Sequence, residues 1–414
     1  MTVPTITVLA YFGIDATSSV FILDDATKGL LDGATYLLGG DVGIDISRSA
    51  RVGQITRGRE RAIDEFQAGV ATITLNNRDR LYDPLYAAGT YFGKIKPGLH
   101  VLIQANGITI FDGLIDDWNF DYPISKDSTA SFDVVDQLAT LGSGEFDAWT
   151  TTASQTVGAR LTSILDRNEV SFPSGQRALD TGTSTLQADA VSWGSNVLNY
   201  CQLVTKCDLG SFFASRTGVL TFYGRNRVYT GVGAPEFRDD GTGIRYAGIT
   251  IDYGTELLFN RVSVDATGFT KQTVTDSASF QAFNKWWSLS LSNLPLETQA
   301  QALDLANYLL NLYSQPVTRI SSITVNLQDK SATDQTTILS LDMGSVIRVV
   351  YTPNRVGTAI DKYCLVEGVT HDILPQAHSV TFKLSNLADG FSGSPFILDD
   401  ANAGLLDGTY LLAF

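Results

Sequence analysis

Three cysteines in 414 residues (Cys201, Cys207, Cys364) are too few, and odd in number, for a disulfide framework. The fold must therefore be held by a hydrophobic core, and this length allows about two to four domains. Histidine is equally scarce: His100, His371 and His378 are the whole set. With no G-x-S-x-G elbow and no histidine beside a cysteine, nucleophilic catalysis lacks its residues. Cys201 and Cys207 stand six apart on a predicted helix, a spacing that does not converge on one metal ion. Every apolar run is broken by Gly, Asp or Asn before the roughly 18 residues a membrane helix needs. The opening MTVPTITVLAYFG has neither a basic stretch nor a small-residue cleavage site, so no secretory signal and a reducing cytoplasm are expected. Basic residues are in deficit, 29 against 44 acidic, and the net charge of −15 is the wrong sign for a general nucleic-acid coat. Charged residues make up only 18 % while glycine reaches 37, a balance that favours strands and turns over an all-helical fold.

What is present is, first, a duplication. FILDDATKGLLDGATYLL (Phe21 to Leu38) returns as FILDDANAGLLDGTYLL (Phe396 to Leu412), identical at 15 of 17 aligned positions. Each copy reads as short strands separated by an Asp-rich turn and an Asp-Gly turn, where glycine supplies the positive φ of a tight hairpin. Two copies are too few for a solenoid. Their apolar residues, Phe21, Leu23 and Tyr36 in one and Phe396, Leu398 and Tyr410 in the other, are the expected contact residues of two docking arms. Covering of a sheet edge in their own domain is the plainer alternative.

Between the arms three regions differ in period. Alternating runs at Gly69–Asn77, His100–Phe120 and Ser128–Asp136 predict short strands of a sandwich or barrel. Helical spacing follows at Thr156–Val170 and Ser192–Cys207, then a hairpin over Gly210–Arg225 turning at Thr217-Gly218. Strands return in GITIDYG, NRVSVDA, SSITVNLQ, GSVIRVVYTP, YCLVEGVTHDI and HSVTFKLSN. One helix interrupts them over Leu294–Tyr313, with Leu303, Ala306, Leu309 and Leu310 on one face. The resulting division is a 1–47 arm, a 48–150 β-barrel, a 151–235 α+β domain, a 236–390 β-barrel and a 391–414 arm.

Other candidates are weaker. His371 and Asp372 are adjacent and so face opposite sides of a strand, and an exposed or hydrogen-bonded strand-end histidine is expected. Paired aspartates such as Asp24-Asp25 and Asp399-Asp400 read as turn caps; a loose oxygen site for calcium there stays open, although no EF-hand series exists. Arg48, Arg51, Arg57, Arg59 and Arg61, interleaved with Glu60, Asp64 and Glu65, predict a salt-bridged or subunit-facing stripe. Trp286-Trp287 offers a platform for stacking on sugar rings, or a core or interface pair. No cofactor, no metal and no enzymatic activity are predicted.

The stretch from Phe66 to Trp118 carries a resemblance. A strand, LNNRDRLYDP (Leu75–Pro84), an aromatic-Gly, KPG (Lys96–Gly98), another strand and F-D-G (Phe111–Gly113) together resemble the first barrel of tail-tip hub, or minor tail, proteins of long-tailed, mycobacteriophage-like bacteriophages. GSFFASRTGVLTFYGRNR (Gly210–Arg227) resembles that family's small α/β domain, and ELLFNRVSVDA with the C-terminal strands resembles its second barrel. The resemblance implies a mainly β structural virion protein with two tube-type barrels and an α+β insertion. It implies a trimer of pseudo-sixfold outline that joins the tail tube to tip or fibre proteins, meets the distal tail ring and tape measure, and passes DNA without specific binding. Contact with the host envelope would be indirect, and the location a tail tip assembled in the host cytoplasm. Arg78 and Arg80, flanking Asp79, are expected to fix a long interface loop on the first barrel. The chain stops at Phe414 without a long extension, so no cell-wall-degrading portion is expected. The alternatives are a sixfold distal-tail ring component and an envelope carbohydrate-binding tail protein.

Overall fold

Residues 2–12, 43–124, 126–229 and 231–387 are described in the structure, a computed structural model. Both F-I-L-D-D copies, with Phe21, Leu23, Tyr36, Phe396, Leu398 and Tyr410, lie outside them.

The first region supplies β1 (Ile6–Ala10), β2 (Ile44–Asp45), β3 (Ala50–Gly58), β4 (Gln67–Asn76), β5 (His100–Ala105), β6 (Ile108–Asp121) and β7 (Thr129–Val135). Alternation decides the faces as the sequence predicts. Ala71, Ile73 and Leu75 of β4 and Val101, Ile103 and Ala105 of β5 are fully buried, while Thr72 turns outward to Asp133 on β7. Asn106 and Gly107, both at positive φ, make the two-residue turn from β5 to β6. The division at residue 47 needs amending, because β1 pairs with β5 along its whole length, from Ile6 opposite Ala105 to Ala10 opposite Val101.

The insertion follows with α1 (Gln137–Ser143), β8 (Trp149–Thr150), β9 (Gln155–Thr156), α2 (Val157–Leu165), β10 (Arg177–Leu179), β11 (Thr185–Leu186), β12 (Ala190–Val191), α3 (Val197–Lys206), β13 (Ser211–Ala214) and β14 (Leu220–Tyr223). The β13–β14 hairpin turns where expected, with Gly218 at φ +76°. At its centre Arg160 of α2 is fully buried and hydrogen-bonds Gln155, Tyr200 and the carbonyls of Thr152 and Gln187.

The third region holds β15 (Glu236–Arg238), β16 (Gly248–Asp252), β17 (Arg261–Ala266), β18 (Gln272–Thr275), α4 (Ser277–Phe283), β19 (Ser288–Leu294), α5 (Gln299–Tyr313), β20 (Arg319–Asn326), α6 (Ala332–Ser340), β21 (Val346–Tyr351), β22 (Ile360–Leu374) and β23 (Ala377–Asn386). Each of the six α-helices named starts behind an Asp, Thr, Asn or Ser whose side chain accepts an N–H of the first turn. On α5 the buried stripe is Ala302, Leu305, Ala306 and Leu309, whereas Leu303 is 41 % exposed. The expected face was therefore out of phase at Leu303. The short helices α1, α4 and α6 are absent from the sequence-based expectation.

The protein is mainly β, and the two β-rich regions share one sheet. Its strand order is β16-β20-β23-β22-β3-β4-β7-β6-β5-β1-β2, with β21 on β22 and β15 on β21, thirteen strands in all. Hydrogen bonds close neither region into a barrel among the described residues. Strand β22 makes the join. Its first half, Ile360 to Leu365, pairs with β21, and its second half, Gly368 to Asp372, pairs with Asp-free β3 from Gln54 to Gly58. The register shifts between Val366 and Gly368, so Glu367 sits at a bulge where the sheet changes partners. Strands β18, β17 and β19 stand apart as a three-stranded sheet against which α5 packs. NRVSVDA (β17) is thus a strand, as predicted, but not of the large sheet.

Candidate functional site

The three cysteines and two of the three histidines are buried. Cys201, Cys207 and Cys364 are buried free thiols. Burial pushes Cys201 and Cys364 up to about 12 and Cys207 higher still, so none is a thiolate nucleophile at neutral pH. Among the described residues no three His, Cys, Asp or Glu side chains gather as a metal set.

His371 is hydrogen-bonded but buried, its Nδ1 3.1 Å from Nε2 of His378, while Asp372 points the other way to Gln54. Burial, then the neighbouring His378 and Arg57, hold His371 well below the usual 6.5, and burial takes His378 down to about 4 against the opposing pull of Asp372. Unfolded histidines take up protons near 6.5 and the folded pair does not, so stability is lost as pH falls from 6.5 towards about 4. Asp136 works in the opposite sense. Burial raises it to about 6 despite the N–H groups of Gly69 and Leu138, so the folded state binds its proton first and recovers part of the loss. We expect the urea midpoint to fall between pH 7.5 and pH 5, and a His371→Gln/His378→Gln chain to show a flatter profile. Equal slopes would contradict the assignment.

The arginine stripe is salt-bridged at three positions. Arg57 meets Asp342 at 2.7 Å, Arg59 meets Glu367 at 2.7 Å, and Arg61 meets Asp64 at 2.9 Å and Glu256 at 3.1 Å. Asp342 also accepts the backbone N–H of Arg216, tying the insertion to the join between the β regions.

The long loop after β4 is built by side chains that replace backbone partners. Asn77, fully buried, accepts the Tyr82 N–H at 2.9 Å, and Asp83 accepts the Leu85 N–H at 2.8 Å. Arg80, expected to act beside Asp79, instead reaches Asp83 at 2.7 Å and covers the Tyr86 ring. Burial alone would raise the Asp83 carboxyl. The Leu85 N–H, the Arg80 guanidinium and the Tyr122 hydroxyl outweigh it and hold the carboxyl below its usual range. Arg78 is exposed and 3.6 Å from the equally exposed Asp127, a pair of little energetic weight. Trp118 and Phe120 of β6 and Tyr122 just beyond its end stack in series. On the outside the loop presents Leu85 at 81 % exposure and Phe92, and the neighbouring turn presents Tyr122 and a fully exposed Ile124.

A cavity of about 230 Å³ opens where all three regions meet. Its walls include Ile63 and Phe66 after β3, Leu209 after α3, Leu289 and Leu291 of β19, and Leu312 of α5, with Arg59, Arg225 and four tyrosines among the polar neighbours. The tryptophan pair lies elsewhere: Trp286 stacks on Phe280 at 4.3 Å with Arg261 over its ring, and Trp287 packs on Phe283.

No family model and no curated protein matches the chain. Solved structures do. The 43 kDa tail protein of prophage MuSo2 from Shewanella oneidensis superposes with a TM-score of 0.56 at 15 % identity, over 91 % of this chain and 98 % of that one. A tail protein from Neisseria meningitidis MC58 gives 0.58 at 13 % identity, over 85 % and 95 %. The fold of this chain is one that phage tail proteins carry.

Proposed function

We propose that the chain is the ring-forming hub of the tail tip of a long-tailed, mycobacteriophage-like phage. Three copies, each contributing two tube-type β regions, form a pseudo-sixfold ring that joins tail tube to tip or fibre proteins and surrounds the DNA path. The observation that carries this reading is the thirteen-strand sheet in which β22 and β3 unite two β regions within one subunit, in a fold matched along nearly its whole length by a prophage tail protein. The net charge of −15 supports a channel through which phosphates slide rather than stick. The Leu85, Phe92 and Ile124 surface is assigned to a neighbouring ring or subunit, with Arg78 at its rim and Arg80 holding its shape.

Complementation tests the reading. A phage lacking this chain is expected to yield non-infective particles without complete tails, rescued by the wild-type chain. A Leu85→Asp/Ile124→Asp chain should unfold within about 0.5 kcal/mol of wild type, since both sites are exposed, yet fail to rescue. Infective particles without the chain would end the proposal.

A further inference from the structure

Asn106-Gly107 is the single Asn-Gly pair in the chain. In such a pair the glycine nitrogen, with no Cβ beside it, is the least hindered nucleophile a side-chain amide can meet. Both residues are exposed in the turn from β5 to β6, and nothing lies within 4 Å of where a Cβ on Gly107 would sit. The turn is open, but the amide is held. Its Oδ1 accepts the Thr5 N–H at 2.9 Å and its Nδ2 donates to Gln335 Oε1 at 2.8 Å. The Asn106 N–H in turn donates to the Thr5 carbonyl at 2.8 Å.

Gln335 of α6 fixes which atom must face it. It is 4 % exposed, and its Nε2 donates to the carbonyls of Thr2 at 2.9 Å and Leu327 at 2.8 Å. With the nitrogen so committed, Oε1 is the atom turned towards Asn106, and only a donor fits opposite it. Turning the Gln335 amide over would set its oxygen against two carbonyl oxygens. The contact therefore tells amide from acid: asparagine supplies the N–H, whereas a carboxylate would place oxygen against oxygen. The start of the chain, the β5–β6 turn, the segment after β20 and α6, which packs on β6, all meet at this clasp.

We propose that Asn106-Gly107 is a self-modifying site kept unreacted by the clasp, and that its conversion unfastens the clasp irreversibly. The Gly107 nitrogen attacks Asn106 Cγ and loses its proton, Nδ2 leaves as ammonia, and a succinimide closes. Water then opens the ring to aspartate or isoaspartate. Neither product has the N–H that Gln335 Oε1 accepts, and isoaspartate also lengthens the turn by a backbone carbon. The inference does not depend on the tail-hub reading.

The test follows residue 106 by peptide mass spectrometry in the full chain at mildly alkaline pH, folded and in urea. The unfolded chain is expected to convert readily, and the folded chain at least about tenfold more slowly. Thr5→Pro deletes only the N–H to Oδ1, at an exposed position, and Gln335→Ala deletes the acceptor of Nδ2. Each should speed conversion of the folded chain about tenfold, the worth of a hydrogen bond. Gly107→Ala, with a methyl shielding the nitrogen, should stay unmodified. An Asn106→Asp chain carries the product from the start and should exchange its amides faster across β1 and α6 than wild type. No conversion in urea, equal rates folded and unfolded, an unchanged rate in the Thr5→Pro chain, or wild-type exchange in the Asn106→Asp chain would each overturn the proposal.

Discussion

Gly58→Ala is expected to destabilise the protein by about 4 kcal/mol or more, although it adds a single methyl group. Two demands meet at this residue. Its φ of +101° is one that side-chain-bearing residues rarely adopt, and a Cβ placed there would lie 2.3 Å from the Glu367 carbonyl oxygen and 2.5 Å from Gly368 Cα. The obstructing atoms are backbone of β22, so relief requires prising β3 from β22, the pairing that unites the two β regions. The comparison that isolates this cause is Gly107→Ala. Its φ is +78°, but nothing lies within 4 Å of the added carbon, so backbone strain acts alone, at about 1 kcal/mol. Thermal unfolding of both variants against wild type should show a large drop for the first and a small one for the second. Similar drops would mean that the join is not tightly packed.

Glu367→Ala is the second large effect, at about 3–5 kcal/mol. The Glu367 side chain is 2 % exposed and that of its partner Arg59 is 10 % exposed. Removing the carboxylate leaves a guanidinium that the Asp64 carbonyl, 3.0 Å away, and the Ser211 hydroxyl only partly satisfy, and it also removes the acceptor of Ser385. Coulomb attraction at a shielded site is weakly screened, so the loss should be nearly the same at about 0.05 M and about 0.5 M salt. An Arg59→Met/Glu367→Leu chain should recover part of the loss, because two apolar groups are cheaper to bury than one unpaired charge. Strong salt dependence, or strict additivity of the two single substitutions, would show that the pair is effectively exposed.

Local pattern was legible in the residues; partnership was not. Alternation in Gly69–Asn77, the helical spacing of Ser192–Cys207 and the Thr217-Gly218 turn each appear in the structure where they were expected, because local sterics and amphipathicity decide them. Which sheet a strand joins depends on pairings between distant residues. NRVSVDA and SSITVNLQ read alike, yet one lies in the three-stranded sheet and the other in the large one. The join had a faint signal: in YCLVEGVTHDI a glutamate followed by glycine interrupts an apolar run, and that pair is the bulge. Arg160 had none, since a buried polar residue looks like any surface one until its partners are known. The partner of Arg80 was not legible either: it is Asp83, three residues on, and Arg80 itself adopts φ +56°.

The central claim is that this chain builds a tail-tip ring by supplying two β regions per subunit. A cryo-EM reconstruction of the tail tip of the parent particle tests it most directly. The account predicts three copies in one ring, with six β regions around the channel. Six copies in the ring, or absence of the chain from the particle, would contradict it.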